Sequence, residues 1–176
     1  MKGGQVWLET MLYTVIGLAL IGITLAIVVP KVTGTKEKIM IEQTIDSLNE
    51  FDGKMNDAMK LAGNVRIIEF KIKQGELHIN SAEDEIVFVI EGLKKTYSEP
   101  GVVIDIGKVN VFTIEGKKDN TVRMIMDYNG TANLTYKNKE ENKKFSPVSV
   151  PYKFSIKNKG LADGSWVMDI EEISRG

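Results

Sequence analysis

Few residues in this chain have the type or spacing to do chemistry. There is one histidine, His78, and no cysteine. A zinc site at His78 would need carboxylates for nearly all its other ligands, and no disulfide, thiolate nucleophile or Cys-based metal site can form. A Ser-His-Asp arrangement could be drawn through His78, but no nucleophile elbow surrounds any serine. The acidic run Glu83-Asp84-Glu85 offers oxygen ligands for calcium without the spaced loop of a dedicated site, so it reads as a solvated turn. Gly160 to Gly164 holds no phosphate-cradling pattern. On these residues the protein is not expected to be an enzyme, and no metal or cofactor is expected. A net charge of -1 gives no nucleic-acid footprint.

One carboxylate stands apart. Glu9 directly precedes the uncharged run Thr10 to Val29. An α-helix rises about 1.5 Å per residue and needs about 20 apolar residues to cross a bilayer core, which this run supplies. Thr10, Tyr13, Thr14 and Thr24 carry hydroxyls that are expected to bond back to the helix. Gly17 and Gly22 weaken a soluble helix but allow close packing between membrane helices. An ionisable group at the edge of such a span is costly and points to function by default. The run is too long for the apolar part of a secretory signal, and it ends in Val28-Val29-Pro30-Lys31 rather than at a small-residue cleavage site.

Lys2-Gly3-Gly4, then Gln5, then Glu9, then an apolar helix resembles the class III signal of type IV pilins, of the archaeal kind. The resemblance covers about the first 30 residues. It implies that a prepilin peptidase cuts between Gly4 and Gln5 on the cytoplasmic side, and that the retained helix becomes the packed core of a homo-oligomeric filament. It also makes Glu9 the glutamate at the fifth mature position. There it would pair with the new α-amino group of a neighbouring subunit, because each charge is tolerable in an apolar core only when paired. The alternative is an uncleaved signal anchor with Glu9 at headgroup level: a single-pass membrane-anchored ectodomain, or a minor pilin acting as an accessory binding component.

Orientation is contested within the sequence. Lys31, Lys36 and Lys38 outnumber Lys2 and the α-amine, and this count favours the C-terminal side inside. The leader pattern requires its glycine in the cytoplasm, however. Two N-glycosylation sequons, Asn129-Gly130-Thr131 and Asn133-Leu134-Thr135, make sense only on an exported face. The expectation is therefore a single-pass membrane protein with an extracellular C-terminal domain, and an extracellular filament used in adhesion or surface interaction after assembly. Asn129 has a second reading, as a turn residue that tolerates a left-handed backbone.

The elements that must carry these residues follow from periodicity. The fold class expected is α+β: a long N-terminal helix, transmembrane and then amphipathic, followed by an antiparallel β-sandwich or barrel-like sheet. Residues 1–4 are the leader and 5–29 the transmembrane or filament-core helix. Residues 30–62 are a kink and an amphipathic extension, and 63–176 a β-rich extracellular domain. Pro30 and Gly34 predict the kink or a short break, since an interior proline removes one backbone bond and clashes with the preceding turn. Ile41, Ile45, Leu48, Phe51, Met55, Met59 and Ala62 recur at spacings of three and four, and Gly63-Asn64 supplies a stop.

From Val65 the period becomes two. Val65 to Lys73 reads as a strand returning through Gln74-Gly75 into Glu76 to Asn80. Strands follow at Glu85 to Glu91, Val102 to Ile106, Val109 to Glu115, Val122 to Tyr128 and Ala132 to Lys137. Asn129-Gly130 is read as a hairpin turn. Lys137 to Lys144 is read as a charged loop and Asn158 to Ser165 as a Gly-rich loop, the latter between final strands at Tyr152 to Lys157 and Trp166 to Ile173. Phe88, Phe112, Tyr128, Tyr152 and Trp166 are expected in the core.

Overall fold

The structure, a computed structural model, describes residues 3–173, with side chains from Val6 onward. It is α+β: one helix, then ten strands in two sheets that do not close into a barrel. The molecule divides into two compact units between Ile39 and Met40.

Helix α1 is assigned over Gly3–Met59, with Pro30 inside it. The expected break at Pro30 is absent from the hydrogen-bonded secondary structure. The proline can take no part in the bond to the Ala26 carbonyl. In the turns after it, Thr33 and Thr35 donate their hydroxyls to the carbonyls of Val29 and Lys31 at 3.1 Å each.

The first unit is the helix as far as Ile39, and its large apolar side chains are exposed. In the second unit the helix buries Ile41, Ile45, Leu48, Phe51, Met55 and Ala58. Polar residues, Glu42, Asp46 and Glu50 among them, fill the exposed face. A stripe at spacings of three and four needs a partner surface along one side only, and the sheets provide it. Phe51 meets the rings of Phe70 and Phe154 edge-on at 6.4 and 6.1 Å.

The strands are β1 (Val65–Phe70), β2 (Glu76–Asn80), β3 (Glu85–Leu93), β4 (Val103–Ile106), β5 (Val109–Ile114), β6 (Asn120–Asp127), β7 (Ala132–Tyr136), β8 (Lys143–Phe145), β9 (Tyr152–Ala162) and β10 (Ser165–Glu172). One sheet has the order β1-β9-β10-β7 and the other β4-β5-β6-β3-β2-β8. All pairs are antiparallel except β7 with β10. Alternate residues of most strands face one shared core, in which Phe70, Phe88, Tyr128, Phe154 and Met168 are buried; β4 packs on it only through Ile106. Tyr152 is buried as expected, whereas Phe112 and Trp166 are only half-buried.

Two expected hairpins are absent. β1 pairs with β9 and β2 with β3, so Gln74-Gly75 carries the chain from one sheet to the other. Gly75 has φ +88, and a Cβ there would strike the Val89 carbonyl, which accounts for glycine at this crossing. Likewise Asn129-Gly130 leads from β6 in one sheet to β7 in the other, and β7 lies parallel to β10. The tight hairpin lies elsewhere. Asp163 and Gly164 both have positive φ, 51 and 86, and join β9 to β10 within the stretch expected to be a loop. Lys143–Phe145, inside or just beyond the expected charged loop, forms the short strand β8.

Candidate functional site

Among the residues expected to carry function, Gly4 lies in α1, as does Gln5, and their side chains fall outside the described residues. Glu9 is exposed on the helix. The threonines beside it act as expected. Thr10, Thr14 and Thr24 donate to carbonyls four residues back at 2.9, 2.8 and 2.8 Å, so their hydroxyls are satisfied within the helix. What remains on the surface is apolar on every side: Trp7 is 68 % exposed and Leu20 60 %. A helix apolar all round is stable in water only when something covers it. This one is long and apolar enough to cross a membrane, a test that a signal sequence also passes.

The other candidates lie in the β-rich unit. His78 sits half-exposed on β2, with Nε2 3.6 Å from the Glu76 carboxylate. Glu76 also holds the Lys144 ammonium at 3.0 Å, and that hydrogen bond keeps its carboxyl below the usual range. No group of three or more metal-binding side chains occurs among the described residues.

The acidic run is more structural than its sequence suggests. Asp84 has φ 54, its carboxylate accepts the Leu134 N–H at 2.7 Å, and its carbonyl accepts the Tyr128 N–H at 2.9 Å. It fastens the start of β3 to the crossing between β6 and β7. Glu85 faces Asp127 across the strands, and its carboxyl is pushed up by burial first, then by Asp127 and Glu83.

Asn129 and Asn133 are both exposed, and their surroundings differ. Asn129 lies in the crossing turn, with its N–H donated to Asp127 at 2.8 Å. Asn133 lies in β7, and the hydroxyl of its sequon partner Thr135 donates to Asp169 at 2.8 Å.

Sequence reasoning missed the polar pins between helix and sheets. Tyr128, buried, donates its hydroxyl to Asp52 at 3.0 Å, and burial pushes the phenol far above its ordinary pKa. Asn49 accepts the Lys108 N–H at 3.0 Å and donates to the Ile106 carbonyl at 3.1 Å, gripping the β4–β5 turn. A polar residue bordering an apolar helical stripe was the available signal.

No family model, curated protein or solved structure matches the chain. The functional reading therefore rests on its own residues.

Proposed function

We propose that the protein is a structural subunit of an extracellular type IV pilus-like filament, assembled through its N-terminal helix and serving adhesion or surface interaction. The observation that carries this reading is the contrast along α1. From Thr10 to Val29 no side chain is charged and no large apolar one is buried, whereas from Ile41 to Ala58 the apolar stripe is covered. A helix this exposed needs lipid or other helices, and in this reading Glu9 at its rim fixes the register between copies. In this reading a prepilin peptidase cuts between Gly4 and Gln5, the helix resides in the membrane before assembly, and the β-rich unit faces outward. Asn129 is the sequon better suited to carry glycan, because its turn leaves it clear of the sheet hydrogen bonds that engage Asn133 and Thr135.

Glu9→Gln keeps the shape and some hydrogen bonding of the side chain but removes the countercharge to a buried amine. Breaking one partner of a buried ion pair typically costs about 3–5 kcal/mol. The variant is expected to be exported and cleaved normally and to form few or no filaments. Electron microscopy of the cell surface, with N-terminal sequencing of the mature chain, reads both. Normal filaments with Gln at position 9 would favour the membrane-anchored ectodomain, since removing a charge from the membrane edge leaves insertion unharmed. Recovery of intact Met1 from cells with an active prepilin peptidase would refute cleavage.

A further inference from the structure

Two sheets leave four edge strands: β1 and β7 in one, β4 and β8 in the other. An edge presents unpaired N–H and C=O groups, and proteins blunt such edges with short strands, charge or covering loops. β8 is three residues long and carries Lys143 and Lys144. β7 ends in a turn that folds back on it, with Tyr136 and Lys139 exchanging backbone hydrogen bonds at 2.9 and 3.1 Å. β1 and β4 also carry charge, Arg66 and Glu69 on the one and Asp105 on the other, but both expose apolar side chains beside it. Val65 and Ile67 are 45 % and 52 % exposed, and Val103 and Ile104 are 55 % and 38 % exposed.

These two edges lie on opposite flanks of the helix segment that begins at Met40. The chain after β1 reaches that helix through Lys73, whose ammonium donates to Gln43 at 3.1 Å. The turn after β4 reaches it through Asn49. Six residues at about 100° each place Asn49 some 240° around the helix from Gln43, with the buried stripe between them.

The two strands also run in opposite senses along the helix. β1 starts beside the C-terminal end, where Asn64 donates to the Asp57 carbonyl at 3.3 Å, and heads toward Gln43. β4 ends at Asn49 and shares its sense with β2 and β6 through the antiparallel pairs with β3 and β5. β2 starts just after Lys73, at Gln43, and β6 leads to Tyr128, which reaches Asp52.

We infer that β4 of one copy pairs antiparallel with β1 of the next, in a head-to-tail contact between the β-rich units. This rests on the filament reading. Where the strands run along the filament axis, copies related by rotation about that axis and rise along it keep corresponding strands alike in sense. An edge on one flank can then form an antiparallel pair only with an edge of opposite sense on the other flank, and β1 is that edge. Such heterologous contacts build open helical arrays, whereas β4 against β4 needs a two-fold axis. Aligning the solvent-facing residues sets Val103 against Ile67 and Asp105 against Val65, and no like charges meet. Edges of four and six residues are small beside the roughly 800 Å² per partner of a stable interface, so the pairing supplements the helix contacts and does not drive assembly alone.

The full chain has no cysteine, which makes a disulfide test clean. Cross-strand neighbours in an antiparallel pair are about 4.5–5.5 Å apart at Cα, within the range a disulfide spans. Filaments of the double variant I67C/V103C, treated with oxidant, are expected to give a ladder of multimers on a denaturing gel, and neither single variant should. Filaments without a ladder overturn the pairing while leaving the filament reading intact. A dimer from V103C alone overturns it in favour of a two-fold contact. Absence of filaments from the unsubstituted chain removes both readings. As a second measure, Val103→Lys puts a charge opposite Ile67 at an exposed position, and its filaments are expected to break to shorter lengths under shear. Unchanged lengths count against the pairing.

Discussion

The two ends of one helix differ in what the rest of the chain covers. From Thr10 to Val29 the apolar residues go all the way round, and they are exposed. From Ile41 to Ala58 they form a stripe, and the stripe is buried. Local propensity does not separate the segments, since both are helical. What separates them is where the polar residues fall. Glu42, Asp46 and Glu50 leave the second segment one apolar side, and a pair of sheets covers one side. No charge interrupts the first, so only a surrounding medium or a bundle of like helices can cover it.

The largest effect follows from removing one of the two. A chain beginning near Thr35 keeps the buried stripe and loses the exposed run. It is expected to be soluble, monomeric and β-rich with one helix, whereas the full chain should require detergent or membrane. Size-exclusion chromatography and circular dichroism decide this. Aggregation of the short chain at low concentration would mean that the exposed run is needed for folding, and the comparison would fail.

Point substitutions sharpen it. Phe51→Ala empties a site packed against Phe70 and Phe154, and truncating a buried phenylalanine costs about 3–5 kcal/mol. That is a large share of the roughly 5–15 kcal/mol that holds a domain together. Leu20→Ala removes an equally apolar side chain from the exposed run, so thermal unfolding of the β-rich unit should not change. A comparable loss at both positions would show that the two segments are not independent.

The same contrast separates what was legible in the sequence from what was not. The amphipathic stripe, the exposed run and most strand positions are local patterns, and periodicity carries them. Strand partners are not local. Asn129-Gly130 has the turn chemistry of a hairpin, and Gly130 does have φ +73, but turn chemistry sets only the backbone at the turn. The partner of β7 is β10, more than thirty residues downstream, and the crossing is held by Asp84, which no turn rule flags. Asp163-Gly164 was the effective hairpin signal, hidden because Gly160 and Gly164 made the stretch look like a loop. Glu9 could be singled out at once because its surroundings in sequence are uniform. Asn49 and Asp52 could not, because their partners are far along the chain.

The comparison also locates where acid is felt, since the run from Thr10 to Val29 has no charge to titrate near neutrality. In the β-rich unit, Glu85 lies directly across from Asp127, and burial, Asp127 and Glu83 push its carboxyl up, with Arg123 a partial offset. A carboxyl whose folded pKa lies above the unfolded one binds its proton more readily in the native state. Its contribution to stability is therefore greatest below the ordinary value of 4.5 and is lost as pH rises through the folded pKa. At pH 7 the ionised Glu85 opposes folding, and like charges directly across an antiparallel pair cost about 0.2–1 kcal/mol. Glu85→Gln is expected to stabilise the unit by an amount in that range, about half a kcal/mol, at pH 7. The gain should shrink toward zero below the ordinary carboxylate range, where Glu85 is itself neutral. Urea unfolding at the two pH values measures it, and a variant less stable than the parent at pH 7 would mean that Arg123 outweighs the two acids.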